Sequence, residues 1–172
     1  MTQPPRPLAA SDDRNAFDCG RDSLNNWFRR HAWLNHLSVA SRVNVIADPD
    51  ADRISAFVAL CASQIGRGYL PKAQQRNQPD PIPVVLLGQL AVDKDFQSKG
   101  YATSLILFAL KSALRASEEI GCVGVVTHPL DDTARGFYRR WGFEDLPFDP
   151  NRAMIVRMSE LQRVVGDQND VL

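Results

Sequence analysis

Val84-Val85-Leu86-Leu87-Gly88-Gln89-Leu90-Ala91-Val92, then the polar stretch Asp93 to Ser98, then Lys99-Gly100-Tyr101-Ala102: this segment decides how the chain is read. Its first nine residues are almost continuously apolar, which predicts a strand buried on both faces. Asp93 to Ser98 predicts a turn, and a helix is expected from about Lys99 to Ile120, stopped by Gly121. On that helix Leu107, Leu110 and Leu114 share one face, and Lys111, Arg115 and Glu118 another. The first turn of a helix has N–H groups with no partner inside the helix, and the helix dipole adds partial positive charge there. Such an end binds phosphate. Gly100 has no Cβ, so a ligand can approach its backbone closely. Lys99 adds a flexible positive charge. A pyrophosphate-bearing cofactor is the natural ligand, although the glycine alone would equally suit an ordinary strand–helix turn.

Upstream, Asp18 to Leu37 predicts one helix, with Leu24, Trp27, Phe28 and Leu34 on one face and Asp22 or Ser23 as its cap. Ser41 to Ala47 and Ile54 to Ser63 read as strands joined by the turn Asp48-Pro49-Asp50-Ala51-Asp52, which predicts a hairpin. Gly66 to Pro83 holds Gly66, Gly68, Pro71, Pro79, Pro81 and Pro83, so no regular element is expected there. Such a loop is either functional or a tolerated insertion. Downstream, Val123 to Thr127 reads as a strand. A short helix capped by Asp131 or Asp132 runs through Trp141 to Gly142, and Arg152 to Met158 is the last strand. This order predicts an α/β domain with one central sheet and helices on its faces. The expected organisation is a flexible arm over residues 1–12, a domain over 13–165, and a frayed tail over 166–172.

The 172 residues suit one domain, and 44% hydrophobic residues are enough for a core. No apolar run approaches the roughly 20 residues of a membrane span. Met1 to Ala10 lacks a signal-peptide core, so a cytoplasmic location is the default. Cys19, Cys61 and Cys122 form no CxxC pair and read as ordinary small apolar residues rather than zinc ligands or a disulfide framework. Lys+Arg and Asp+Glu are both 20, so the formal net charge is zero and exerts no global pull toward nucleic acid. Two local basic clusters stand out, Arg29-Arg30-His31 and Arg135, Arg139 and Arg140; on charge alone they read as solvated helix faces. His31, His36 and His128 lie in no chemical motif and read as structural.

Gln97 to Ala102 resembles the pyrophosphate loop of the GNAT N-acetyltransferase family, (Gln/Arg)-x-x-Gly-x-(Gly/Ala). Leu90-Ala91-Val92 is similar to the family's L-x-V strand, and Asp132 to Phe143 to its A-x-x-F-Y-x-x-x-G-F signature. Phe17-Asp18-Cys19-Gly20 with Leu24, Asn25 and Trp27, the Pro83 to Asp93 strand, and Phe143 leading into Pro147-Phe148-Asp149-Pro150 resemble one branch: GNAT toxins of bacterial toxin–antitoxin modules. The likeness spans residues 14 to 158. Ser98 and Ala102 stand where that branch usually has glycines, and Tyr101 where the family usually has leucine.

The resemblance implies a single GNAT-like domain whose central sheet is mostly antiparallel, with helices on both faces. It implies acetyl-CoA as co-substrate, held by Leu90, Ala91, Val92, Gln97, Ser98, Lys99, Gly100, Tyr101, Ala102, Asp132 and Phe137, and no metal. Tyr138 becomes the candidate general acid for the leaving sulfur, while spacing alone makes it core beside Phe137, Trp141 and Phe143. No base is evident. The branch implies acetylation of the free amine of aminoacyl-tRNA, a homodimer, and a ribbon-helix-helix antitoxin. Arg29, Arg30, Arg135, Arg139 and Arg140 are then the candidate tRNA contacts, with Arg67, Lys72 and Arg76 of the proline-bearing loop extending them. The alternatives are a GNAT enzyme acting on a small amine or protein N-terminus, and a non-catalytic module binding coenzyme A or a partner.

Overall fold

A computed structural model describes residues 3–169. The elements are β1 (Arg6–Pro7), α1 (Asp22–Arg30), α2 (Ala32–Leu37), β2 (Arg42–Asp48), β3 (Arg53–Ile65), α3 (Lys72–Gln75), β4 (Ile82–Val92), α4 (Tyr101–Glu119), β5 (Gly124–Thr127), α5 (Asp132–Arg140), β6 (Glu144–Asp145), β7 (Met154–Arg157) and α6 (Met158–Asn169). The strands form one sheet in the order β1-β2-β3-β4-β5-β7-β6. β4 and β5 run parallel, whereas β1–β2, β2–β3, β5–β7 and β6–β7 are antiparallel. The chain divides into two compact units. One takes the chain up to Cys61 together with Gly88–Ala109; the other takes Ala62–Leu87 and the chain from Leu110 onward.

The first unit is built on the expected hairpin. Val43 and Val45 alternate inward on β2, and Asp48 makes the turn by accepting the N–H groups of Asp50 (2.8 Å) and Ala51 (2.9 Å). Against the sheet lies an aromatic cluster: Phe28 stacks on Phe57 at 4.2 Å, and Phe17 meets both edge-on. The single helix expected over Asp18 to Leu37 is two helices that meet at His31, whose φ of −118° is off the helical value while its ψ of −27° is not. Leu34, expected on the inner face, is 63% exposed. Neither Asp22 nor Ser23 caps α1; its N-cap position is Arg21. His36 has the structural role expected of it. Its Nδ1 accepts the Val43 N–H at 3.0 Å, and burial lowers its pKa, which keeps the acceptor nitrogen free of a proton.

Residues 3–12 differ from the expected loose arm. Arg6 and Pro7 pair with Val45 and Asn44, Leu8 is buried, and Arg6 grips Asp12 with both guanidinium nitrogens. At the other end α6 carries regular structure past Gly166, where fraying was expected; residues 1–2 and 170–172 lie outside the described residues.

In the second unit Ile65, Leu70, Ile82, Val84, Val126, Leu146, Ala153 and Ile155 form a continuous core. The proline-bearing loop, expected to be irregular, contains a 3-10 turn at Arg67–Tyr69, the one-turn α3, and the start of β4. Pro83 lies within β4 but faces solvent, and its carbonyl accepts the Val123 N–H at 2.9 Å. Two-sided burial of β4 holds only in part: Val84, Leu87 and Ala91 are buried, while Val85, Leu86, Leu90 and Val92 are half-buried and Gly88 is exposed. On α4 the buried face is Leu105, Ile106, Ala109, Leu110 and Ala113; of the three leucines expected inside, Leu107 and Leu114 are only half-buried. A Cβ on Gly124 would overlap the backbone carbonyl of Val156, so β5 approaches β7 too closely for any side chain. Gly124→Ala is expected to destabilise the protein by about 1–3 kcal/mol, as an overpacked core does, read as a lower urea midpoint.

Candidate active site

β4 ends at Asp93, whose carboxylate is fully buried. It accepts the N–H of Asp18 (3.0 Å), the N–H of Asp95 (3.0 Å) and the Arg53 guanidinium (3.2 Å), while its own N–H donates to the Ser55 carbonyl (2.8 Å). A buried carboxylate is tolerable only with donors of this kind. The chain then makes a 3-10 turn, Lys94–Phe96, and buries Phe96. Arg53 and Lys99 each lie over the Phe96 ring at 5.4 Å, and Tyr101 meets it edge-on. Lys99, read from the sequence as a flexible charge, therefore leans on an aromatic face.

Gln97, Ser98, Lys99 and Gly100 are exposed. Ser98 (φ 62°) and Gly100 (φ 88°) are both left-handed. Left-handed residues set in such a turn draw successive N–H groups into a concavity that suits anions. A Cβ on Gly100 would meet no protein atom within 4 Å. Backbone conformation rather than crowding selects glycine here, and the space over it is open to a ligand. Tyr101 and Ala102 open α4, whose first-turn N–H groups have no intrahelical partner. Ser98 reaches the geometry that the branch usually gives to glycine, at a conformational cost of about 1–2 kcal/mol. Gln97 is tied to the backbone: its side-chain amide donates to the carbonyls of Val92 (3.2 Å) and Cys19 (3.4 Å). The β4–β5 pairing covers Val85–Leu87, and β4 continues from there through Leu90, Ala91 and Val92.

In the second unit α5 begins at Asp132, capped by Asp131, whose carboxylate accepts the Ala134 N–H at 2.8 Å. Asp132 is exposed and Phe137 half-buried, with Arg140 over the Phe137 ring at 5.7 Å. Trp141 and Phe143 are core, as spacing suggests. Tyr138 is 7% exposed and packs edge-on to Phe137 and Phe143. Burial pushes its phenol above the usual value, partly offset by a hydrogen bond with Thr127. Thr127 is itself buried and donates to the Leu87 carbonyl at 3.1 Å. A phenol in this setting keeps its proton at neutral pH and can donate it.

The expected basic surface is reduced. Arg135 is buried, where the sequence predicts a tRNA contact: its guanidinium bonds Asp145 and the Arg152 carbonyl (2.8 Å), bracing the turn between β6 and β7. Arg139 is exposed but pairs with Asp145 at 2.8 Å. Arg29 is exposed and donates to the Phe17 carbonyl at 2.9 Å. Arg67 is held by its own loop, through Asp80 and the Gln78 carbonyl. Arg30 and Arg140 are exposed and make no ion pair among the described residues. Burial raises all three thiol pKa values, which keeps them protonated and unreactive at neutral pH. Among the described residues no group of three His, Cys, Asp or Glu side chains could hold a metal, and no helix is long and apolar enough to cross a membrane.

Residues 45–145 match the family model of the acetyltransferase (GNAT) domain. The chain is 34% identical to a tRNA-acetylating toxin of Mycobacterium tuberculosis (strain ATCC 25618 / H37Rv) over 163 residues, which cover 95% of this chain and 96% of the relative. The solved structure of AtaT complexed with acetyl-methionyl-tRNAfMet is 28% identical and superposes with a TM-score of 0.85, covering 93% of this chain and 97% of that one. AtaTR bound with AcCoA is also 28% identical, with a TM-score of 0.80 and coverage of 93% and 96%.

The open space over Gly100 yields a direct test. Gly100→Trp meets no protein atom at its base but strains the left-handed backbone by about 1–2 kcal/mol, so it is expected to fold with a lowered melting temperature and to lose acetyl-CoA affinity by at least tenfold in calorimetry, whereas Gly100→Ala, which carries the strain without the bulk, keeps more of that affinity. Unchanged affinity removes this turn from the cofactor site.

Proposed function

The chain belongs to the GNAT acetyltransferase family, and on that premise we propose that it transfers the acetyl group of acetyl-CoA to the free amine of aminoacyl-tRNA, acting as a translation-blocking toxin. The observation that carries this reading is the likeness, along 95% of the chain, to a protein named for acetylating tRNA. The left-handed Ser98 and Gly100 ahead of α4 support it physically, because a CoA pyrophosphate needs such an array of N–H donors. The solved complexes of AtaT with acetylated tRNA and of AtaTR with AcCoA supply the chemistry by analogy.

Acetyl-CoA supplies an activated thioester. In this reading Gln97 to Ala102 hold its pyrophosphate and the β4 backbone at Leu90 to Val92 holds its pantetheine arm and thioester oxygen. Asp132 and Phe137 line the cofactor. Backbone donors aimed at an oxygen that gains charge lower the barrier by several kcal/mol. Tyr138 gives its proton to the leaving sulfur, a task suited to a phenol that burial keeps protonated. The chain needs no dedicated base. An α-amino group has a reference pKa of about 8, and an ester withdraws electrons and lowers it further, so a neutral amine is already present at pH 7. Arg29, Arg30, Arg139 and Arg140 form the tRNA-facing set, with Arg135 set aside as structural. A homodimer, a small ribbon-helix-helix antitoxin and a cytoplasmic location complete the reading, resting on the whole-chain likeness to toxins.

Tyr138→Phe should fold and bind cofactor but lose roughly 10²–10⁴-fold in kcat, the usual contribution of a general acid. Because burial raises the phenol, wild-type kcat should not fall from its ionisation until the pH exceeds the ordinary tyrosine value of 10. Wild-type kcat in Tyr138→Phe at several pH values overturns the assignment.

The substrate is tested by mass spectrometry of charged tRNA after incubation with protein and acetyl-CoA. The expected product is N-acetyl-aminoacyl-tRNA. Arg30→Ala and Arg140→Ala should each lower the salt slope of tRNA binding by about one unit. Acetylation of small amines with none of charged tRNA would identify a small-molecule enzyme instead.

A further inference from the structure

The segment Phe17-Asp18-Cys19-Gly20 with Asn25 sits far from the cofactor turn in sequence but grips it in the fold. Asn25 is 5% exposed, and both ends of its amide are used. Its Oδ1 accepts the Cys19 N–H at 2.9 Å, and its Nδ2 donates to Asp18 Oδ1 at 2.8 Å. Asp18 Oδ1 also accepts the Gly20 N–H at 2.9 Å. These bonds hold Asp18 and Cys19 in one conformation, and Phe17 anchors the segment in the aromatic cluster. From that fixed segment four contacts reach the turn after β4. The Asp18 N–H donates to Asp93 Oδ2 at 3.0 Å, and the Asp18 carbonyl accepts the Lys94 N–H at 2.8 Å. Asp18 Oδ2 pairs with Lys94 Nζ at 2.9 Å, and the Cys19 carbonyl accepts the Gln97 amide at 3.4 Å.

We propose that Asn25 and Asp18 are positioning residues for the cofactor, preorganising the Asp93–Gly100 turn whose N–H groups hold pyrophosphate. The inference rests on the reading of that turn as the acetyl-CoA site and adds a role for residues outside the turn itself. Its energetic basis is preorganisation: a turn already fixed loses little conformational freedom when an anion docks. Within the brace the contacts are unequal. The Lys94–Asp18 ion pair is exposed, and such pairs contribute little. The buried amide bonds of Asn25 and the two backbone bonds to Asp93 and Lys94 carry the restraint.

This ranking predicts a specific pattern of variants. Asn25→Ala and Asp18→Ala should weaken coenzyme A binding about tenfold in calorimetry. In the acetylation assay they should raise KM for acetyl-CoA by a similar factor, with kcat within twofold of wild type. Asp18→Asn keeps the acceptor oxygen for Gly20 and Asn25 and loses only the exposed ion pair, so it should bind coenzyme A within twofold of wild type. Val43→Ala, a core truncation in the same unit, is the control for lost stability: its melting temperature should fall while its coenzyme A affinity stays unchanged. Wild-type coenzyme A affinity in both alanine variants overturns the proposal, as does an equal loss in Val43→Ala. Wild-type protein that binds no coenzyme A removes the cofactor site itself, an outcome distinct from a wild type that binds and variants that match it.

Discussion

The buried Asp93 carboxylate is the constraint on which the rest of the first unit depends. Taking a carboxylate out of water is costly, and the cost is offset only when its oxygens are filled by donors. Here the donors come from three separate parts of the chain: the N-terminal segment at Asp18, strand β3 at Arg53, and the turn itself at Asp95. Satisfying one charge therefore fixes where β4 ends, how the 3-10 turn begins, and where the N-terminal segment crosses it. The left-handed Ser98 and Gly100 follow within a few residues, so the proposed cofactor turn inherits its position from this carboxylate.

What was legible in the sequence is what local chemistry determines. The β4–turn–α4 order, the hairpin with its Asp48 turn, the Asp131 cap and the core positions of Trp141 and Phe143 all follow from neighbours in the chain. What was not legible depends on distant partners. β1 exists because Arg6 and Pro7 find an edge on β2, and β6 because Glu144 and Asp145 find one on β7. A two-residue strand carries no periodicity that a sequence can display. The break at His31 escaped because the apolar spacing continues past it to Leu34, which the structure leaves exposed.

The candidate site divides in the same way. Gly100 and Tyr138 could be singled out from motifs, since each motif is contiguous. Asp93 was visible at the end of a resembling strand but without a role, and Arg53 did not stand out, because neither residue shows in sequence that the other is its partner. Asn25 was visible as part of a signature but without a role; its role appears only when its two amide bonds to Asp18 and Cys19 are seen.

The arginines show why counting charge in a sequence does not locate charge on the surface. Arg135, Arg139 and Arg140 lie close together on α5, yet helical geometry sends them to different fates. Arg135 turns inward and is consumed by Asp145 and the Arg152 carbonyl, and Arg139 shares Asp145 from outside. Two cations thus converge on one carboxylate. Arg140, one residue on, rests over the Phe137 ring, a contact that leaves its guanidinium charge uncompensated. A formal net charge of zero is therefore compatible with a positive face at the C-terminal turn of this helix. Phosphate contacts depend on that local surplus rather than on the sum over the chain.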